Sequence, residues 1–231
     1  RAGDTNCDGL VRIAILGDAL TSGEGSTDYT SERADSRDLT DNAAPPDGHR
    51  NMCHRSVQSW AVGAVTPLFG LAGTTGIGAL RDEVRNLDSP TEDDLVPGGK
   101  RSGQDALLFV ACSGAGADDL AAADADNWDQ PAQLASLAAF QTGGAADIVL
   151  VSVGLVDTGE GDVLLDCITT GCIEPGKPDA WLAAVKASEP TIRSGLVSVR
   201  EAASGAEVYF LEQPNPFDAS VSNKCSGFSI A

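Results

Sequence analysis

Basic side chains are scarce: 15 lysines and arginines stand against 34 aspartates and glutamates, for a net charge of −19. Binding to nucleic acid draws its affinity from cations that neutralise phosphates, so nucleic acid is excluded as a partner, and an anionic membrane surface with it. The plain reading of the charge is a solvated acidic surface that keeps the protein soluble. No apolar run approaches the ~20 residues of a membrane span, so no membrane span is expected. Histidine is nearly missing, with His49 and His54 the whole supply, and both flank a long polar loop. Surface or capping roles are the expectation for both.

No CxxC spacing occurs among the six cysteines, which argues against a thiolate metal centre. Cys7, Cys53, Cys112, Cys167, Cys172 and Cys225 form an even set in a chain with one methionine and 26 glycines. That composition fits three disulfides in an exported protein, secreted or at the cell surface, against the alternative of reduced cysteines packed as small hydrophobes. The pairing stays open, although Cys167 and Cys172 flank a segment short enough to close a local loop.

What is present is a rhythm of buried strands. VRIAIL (11–16), ALLFVAC (106–112), DIVLVSVG (147–154) and EVYFLEQP (207–214) are apolar, partly β-branched, and followed by glycine, proline or small polar residues. Continuous apolar runs of this kind suit strands covered on both faces. Helical spacing marks 55–69, with Val57, Trp60, Ala61, Ala64, Val65 and Leu68, and 179–203, with Trp181, Leu182, Val185, Ile192, Leu196 and Val199, where Pro190 is expected to kink or split the helix. Residues 26–54 and 88–105 read as loops, and 115–135 as a loop leading into a helix. Trp60 and Trp181 are expected in the core, while Trp128 lies in a polar loop. Alternating strands and helices predict an α/β, doubly wound parallel sheet whose site lies outside the strand carboxyl ends. At 231 residues the chain suits one such domain over 11–231, with 1–10 an N-terminal turn or linker remnant. Within that remnant Asp4, Asn6, Asp8 and Gly9 match the start of a calcium loop, but Ile15 stands where the bidentate acid belongs, and a polar turn tied down by Cys7 is preferred.

The first strand ends in GDALTSGEG (17–25), a strand, tight turn and short helix. This is one change from the Gly-Asp-Ser-x-x-x-Gly block of the SGNH/GDSL ester hydrolases. GEGSTDY (23–29) and CHRSVQSWA (53–61) resemble the secreted, disulfide-bonded bacterial branch of that family. FVACSGAGADDL (109–120) is similar to its second block, and DIVLVSVGLVDTGEGDVLLDC (147–167) follows its third, where the family reads Gly-Gly-Asn-Asp. The blocks run in family order from about residue 11 to 225. The resemblance implies a three-layer α/β/α, flavodoxin-like sheet and descent from serine ester hydrolases acting on acyl esters or acetylated sugars. It implies no cofactor and no metal.

Such chemistry needs a serine at the strand–helix turn, a histidine to take its proton, and donors that meet the oxyanion, each donor worth on the order of 10²–10³ in rate. Carried over by position, the nucleophile site is Ala19, preceded by Asp18; the backbone donor is Gly114; and the asparagine position is Val156. Ser113 and Leu155 are the neighbouring candidates for substrate binding. Ala19 has no nucleophilic atom, Val156 offers no donor, and the family's Asp-x-x-His block is absent before Ala231, where the last strand is also expected to be missing. Asp18 also suits a helix cap and Gly114 a close turn. The expectation is a hydrolytically inactive domain that keeps a pocket for a small acyl-ester, sugar or glycan ligand, or for a protein partner. The rival expectations are an active carboxylester hydrolase disabled at position 19 or cut short, and a structural spacer.

Overall fold

All four apolar runs enter one parallel sheet in a computed structural model of the chain, which describes residues 4, 5, 7, 11–26, 53–56, 58–70, 107–122, 131–169 and 176–212. The strands are β1 (Ile13–Gly17), β2 (Leu107–Phe109), β3 (Ile148–Ser152) and β4 (Glu207–Phe210), in the order β2-β1-β3-β4. Register is set by Ile13 opposite both Leu107 and Ile148, and by Ile148 opposite Glu207. The helices among the described residues are α1 (Ala19–Ser22), α2 (Trp60–Gly70), α3 (Gln133–Gln141), α4 (Glu160–Thr169) and α5 (Lys177–Ala202).

Because side chains alternate along a strand, β1 feeds two cores. Ile13 and Ile15 point to one face with Leu107, Phe109, Ile148 and Leu150, where Ala61, Val62 and Val65 of α2 cover them. Ala14 and Leu16 point to the other with Val149 and Val151, beneath Leu137 of α3 and Val199 of α5. The result is the expected three-layer α/β/α arrangement. On the second face α5 approaches closely at Gly195, where a Cβ would lie 2.7 Å from the Ala117 carbonyl oxygen.

The amino ends of the strands carry a polar anchor. Asp147, fully buried, accepts the Arg12 N–H at 2.8 Å and the Thr5 N–H and hydroxyl at 2.7 Å each. Beyond the carboxyl ends, Cys53 and Cys112 form a buried disulfide that joins segments 59 residues apart. Cys167 is also disulfide-bonded. Cys7 is a free, exposed thiol, which corrects the expectation of three bridges using all six cysteines. The reason is position: Cys7 follows Thr5 at the amino end of the sheet, whereas Cys53 and Cys112 meet at the opposite end. Cys172 and Cys225 lie outside the described residues, as do Asn6, Asp8, His49 and Trp128.

Three further expectations are revised. The first long helix starts at Trp60 rather than 55, because the Ser59 hydroxyl caps it by accepting the Val62 N–H at 3.2 Å. Pro190 neither ends nor splits α5, which runs unbroken for 26 residues. Lys186 and Pro190 are both exposed, so the carbonyl that the proline leaves unbonded faces water. Trp181 belongs to neither core cluster, since the amino-terminal half of α5 is largely exposed, whereas Trp60 packs partly buried on the first. No described helix is long and apolar enough to cross a membrane.

Candidate functional site

Strand order reverses around β1: the chain goes to β2 on one side, then to β3 and β4 on the other. In open α/β sheets this places a crevice outside the carboxyl ends of the two central strands, β1 and β3. Three turns meet there, after Gly17, after Ala111 and after Val153.

The first turn is held hardest. Gly17 has φ +128°, a left-handed value open to glycine, and a Cβ there would lie 2.1 Å from the Ser152 carbonyl oxygen. Its N–H donates to Gln133 Oε1 at 2.7 Å and its carbonyl accepts from Gln133 Nε2 at 2.9 Å. Asp18, fully buried, caps α1 by accepting the Leu20 N–H at 3.1 Å and reaches across to the Leu155 N–H at 3.3 Å. One carboxylate thus serves as helix cap and as tie between the first and third turns. Ala19 follows as the first residue of α1 and is nearly buried.

The second turn is a four-residue reversal, Cys112 to Ala115, closed by the Ala115 N–H on the Cys112 carbonyl at 3.1 Å. Gly114 takes φ +86° at its third position, the value a type II turn requires there. Cys112 N–H donates to the Gly17 carbonyl at 3.0 Å, tying this turn to the first, and Ser113 N–H donates to the Cys53 carbonyl at 3.0 Å. Among the described residues the N–H groups of Ala19 and Gly114 have no acceptor.

The third turn carries Leu155, Val156 and Asp157. Val156 is 47% exposed. Asp157 accepts the Ala117 N–H on both carboxylate oxygens, at 3.1 and 3.0 Å, and so ties the third turn to the second. Partial burial pushes the Asp157 carboxyl up, with the Ala117 N–H opposing and the Asp118 charge assisting. Burial likewise raises Glu160.

One cluster was not singled out from the sequence. Glu24, whose N–H donates to the Ala19 carbonyl at 3.0 Å, hydrogen-bonds His54 Nδ1 through its carboxylate. His54 holds the Glu24 carboxyl below its ordinary value, against partial burial and with help from Ser113. His54 has φ +49°, uncommon outside glycine, and its side chain is only 12% exposed, so it is not a surface residue. The signal available in the sequence was weak: a Glu in the turn after α1 and a His beside a cysteine, 30 residues apart.

Asp18, Ala19, Ser113, Gly114, Leu155 and Val156 therefore converge on one end of the sheet. Asp4, the described member of the calcium-loop pattern, does not join them. Among the described residues no group of three or more acidic, histidine or cysteine side chains is arranged to hold a metal ion.

No family model matches the sequence. No curated protein matches it either. Among solved structures, an extracellular lipase from Streptomyces rimosus is 21% identical with a TM-score of 0.45, covering 87% of this chain and 58% of its own. A phospholipase A1 from Streptomyces albidoflavus is 20% identical with a TM-score of 0.47, covering 90% of this chain and 62% of its own. The chain thus spans about three fifths of the length of each. At these scores the function rests on the site's own residues.

Proposed function

We propose that residues 11–231 form an SGNH/GDSL ester-hydrolase-like domain of an exported protein, hydrolytically inactive in this form, that uses its strand-end crevice to bind a small acyl-ester, sugar or glycan ligand or a protein partner. Thr5, ahead of that domain, is pinned to Asp147. The carrying observation is Ala19: it occupies the first helical position directly after Gly17 and Asp18, where the chemistry needs an attacking oxygen, and it has none. Val156 adds no donor where the developing oxyanion would need one. Loss of a nucleophile typically costs on the order of 10⁶ in rate, so turnover stays at background. What survives is a pair of backbone donors, Ala19 and Gly114 N–H, suited to a neutral carbonyl oxygen. The buried disulfide between Cys53 and Cys112 supports export. No metal or cofactor is called for.

A second reading, a serine carboxylester hydrolase carrying alanine at its nucleophile position, is favoured by the intact frame around position 19. Hydrolysis of p-nitrophenyl acetate by this chain and by its Ala19→Ser variant separates the two. Background turnover from both, with folding confirmed by circular dichroism, supports the inactive domain. Serine-dependent turnover in the variant overturns it in favour of the disabled esterase.

A further inference from the structure

β4 ends the sheet on the side away from β2, and no described strand pairs with its outer edge. Two bonds to β3 fix which way its backbone faces. Glu207 N–H donates to the Asp147 carbonyl at 2.8 Å, and Leu211 N–H to the Val151 carbonyl at 3.0 Å. In a parallel ladder alternate residues serve one neighbour. Residues 207, 209 and 211 therefore bond β3, while Val208 and Phe210 turn their N–H and C=O groups to the open edge. The side chains along it are bare as well. Tyr209 is 53% exposed, Phe210 42% and Leu211 38%, and neighbouring side chains on a strand point to opposite faces. Outward backbone groups beside exposed apolar side chains are what strand addition uses.

Charge selects the occupant. The apolar run over 208–211 lies between Glu207 and Glu212, both exposed. Arg200, near the end of α5, turns to the Ala206 carbonyl at 3.2 Å, ahead of the strand. A second copy fits this edge poorly. Two-fold pairing over 207–212 would set Glu207 of each copy against Glu212 of the other, in a chain of net charge −19. Like charges directly opposite one another are destabilising. We infer that the β4 edge takes an extended segment of a partner protein in which a short apolar run lies between two basic residues. Main-chain bonds to Val208 and Phe210 supply affinity, and Lys or Arg opposite Glu207 and Glu212 supplies specificity. The surface is the side edge of the sheet, so the inference goes beyond the strand-end crevice and stands whether or not that crevice binds a ligand.

The test is fluorescence anisotropy of the whole chain with a labelled, end-capped hexapeptide, Arg-Val-Thr-Val-Thr-Arg. Saturable binding with a Kd below about 1 mM is expected, weakened about tenfold when both arginines become glutamates. The double variant Glu207→Lys/Glu212→Lys should reverse that preference. Phe210→Pro removes an N–H that faces outward and leaves the ladder to β3 intact, so binding should fall about tenfold with the fold retained by circular dichroism. With the arginine peptide bound, the Val208 and Phe210 amides should exchange more slowly, while that of Tyr209 stays unchanged. Absence of saturation overturns the proposal and leaves the two glutamates as guards against edge pairing. Equal affinity for both peptides overturns it too, as does slow exchange of Val208 and Phe210 in the unbound chain. A dimer in sedimentation velocity that Phe210→Pro abolishes gives the edge to a second copy instead. If Phe210→Pro does not fold, the charge-reversed variant decides: an unreversed preference there overturns the proposal.

Discussion

Gln133, the first residue of α3, holds both polar groups of Gly17, the last residue of β1, through the two ends of one side-chain amide. The contact is fully buried and joins residues 116 apart. It gives the Gly17 N–H its acceptor and adds a second donor to a carbonyl that the Cys112 N–H already bonds, at the point where the chain leaves the sheet. Gln133→Ala would strand the Gly17 N–H, whereas the carbonyl keeps the Cys112 N–H at 3.0 Å. A destabilisation of about 1–3 kcal/mol is expected from one unsatisfied buried donor, read as a lower urea midpoint with an unchanged m-value. Gln133→Glu supplies acceptors but no donor and is expected to fail similarly at neutral pH.

Gly17 itself admits no side chain. In Gly17→Ala the new Cβ would meet the Ser152 carbonyl oxygen at 2.1 Å, at a φ of +128°. Backbone cannot yield there without opening the pairing of β1 and β3, so insoluble or unfolded protein on expression is expected. A soluble variant with wild-type melting would refute the close approach.

The disulfide between Cys53 and Cys112 closes a loop of 59 residues in sequence. Loop-closure entropy assigns such a crosslink roughly 4 kcal/mol. The double variant Cys53→Ser/Cys112→Ser should lose stability of that order by chemical denaturation. Because both cysteines are buried, reductant should act on the native protein only at the rate of opening.

Acid should act in opposite directions on two carboxylates of the site. Glu24 has a lowered folded-state pKa, so its contribution is present above the ordinary carboxylate value and is lost as pH falls through the folded value. Asp157 has a raised one, so its contribution is present in acid and is lost as pH rises through the folded value. Melting curves from pH 3 to 7 test this. Relative to wild type, Glu24→Gln should become progressively less stable with rising pH, and Asp157→Asn progressively more stable.

Much of the fold was legible in the sequence. β1, β2 and β3 follow from apolar runs buried on both faces, and the parallel arrangement from the helices between the strands; β4 corrects the expectation of a covered strand, because it lies at the sheet edge with Glu207, Tyr209 and Phe210 exposed. Helix boundaries were less legible, because a hydroxyl cap at Ser59 and the solvent around Pro190 decided them. α4 has no counterpart in the sequence reading, since Gly159 and Gly161 mask its start even though Glu160 and Asp162 suit a first turn. At the site, Asp18, Ala19, Gly114 and Val156 were named from motif positions. The Gln133 clamp, the reach of Asp18 to Leu155, the bond of Asp157 to Ala117, and the pair of Glu24 and His54 were not.

The division has a physical cause. Burial pattern, turn chemistry and the lack of a nucleophilic atom at Ala19 are properties of one residue and its neighbours in the chain, so the sequence by itself determined them. Which buried polar group satisfies which other, and which cysteine finds a partner, depends on segments tens to more than a hundred residues apart arriving at one end of a sheet. Only the tertiary structure decided those, because a hydrogen bond or a disulfide forms within a few ångströms and carries no mark of sequence distance.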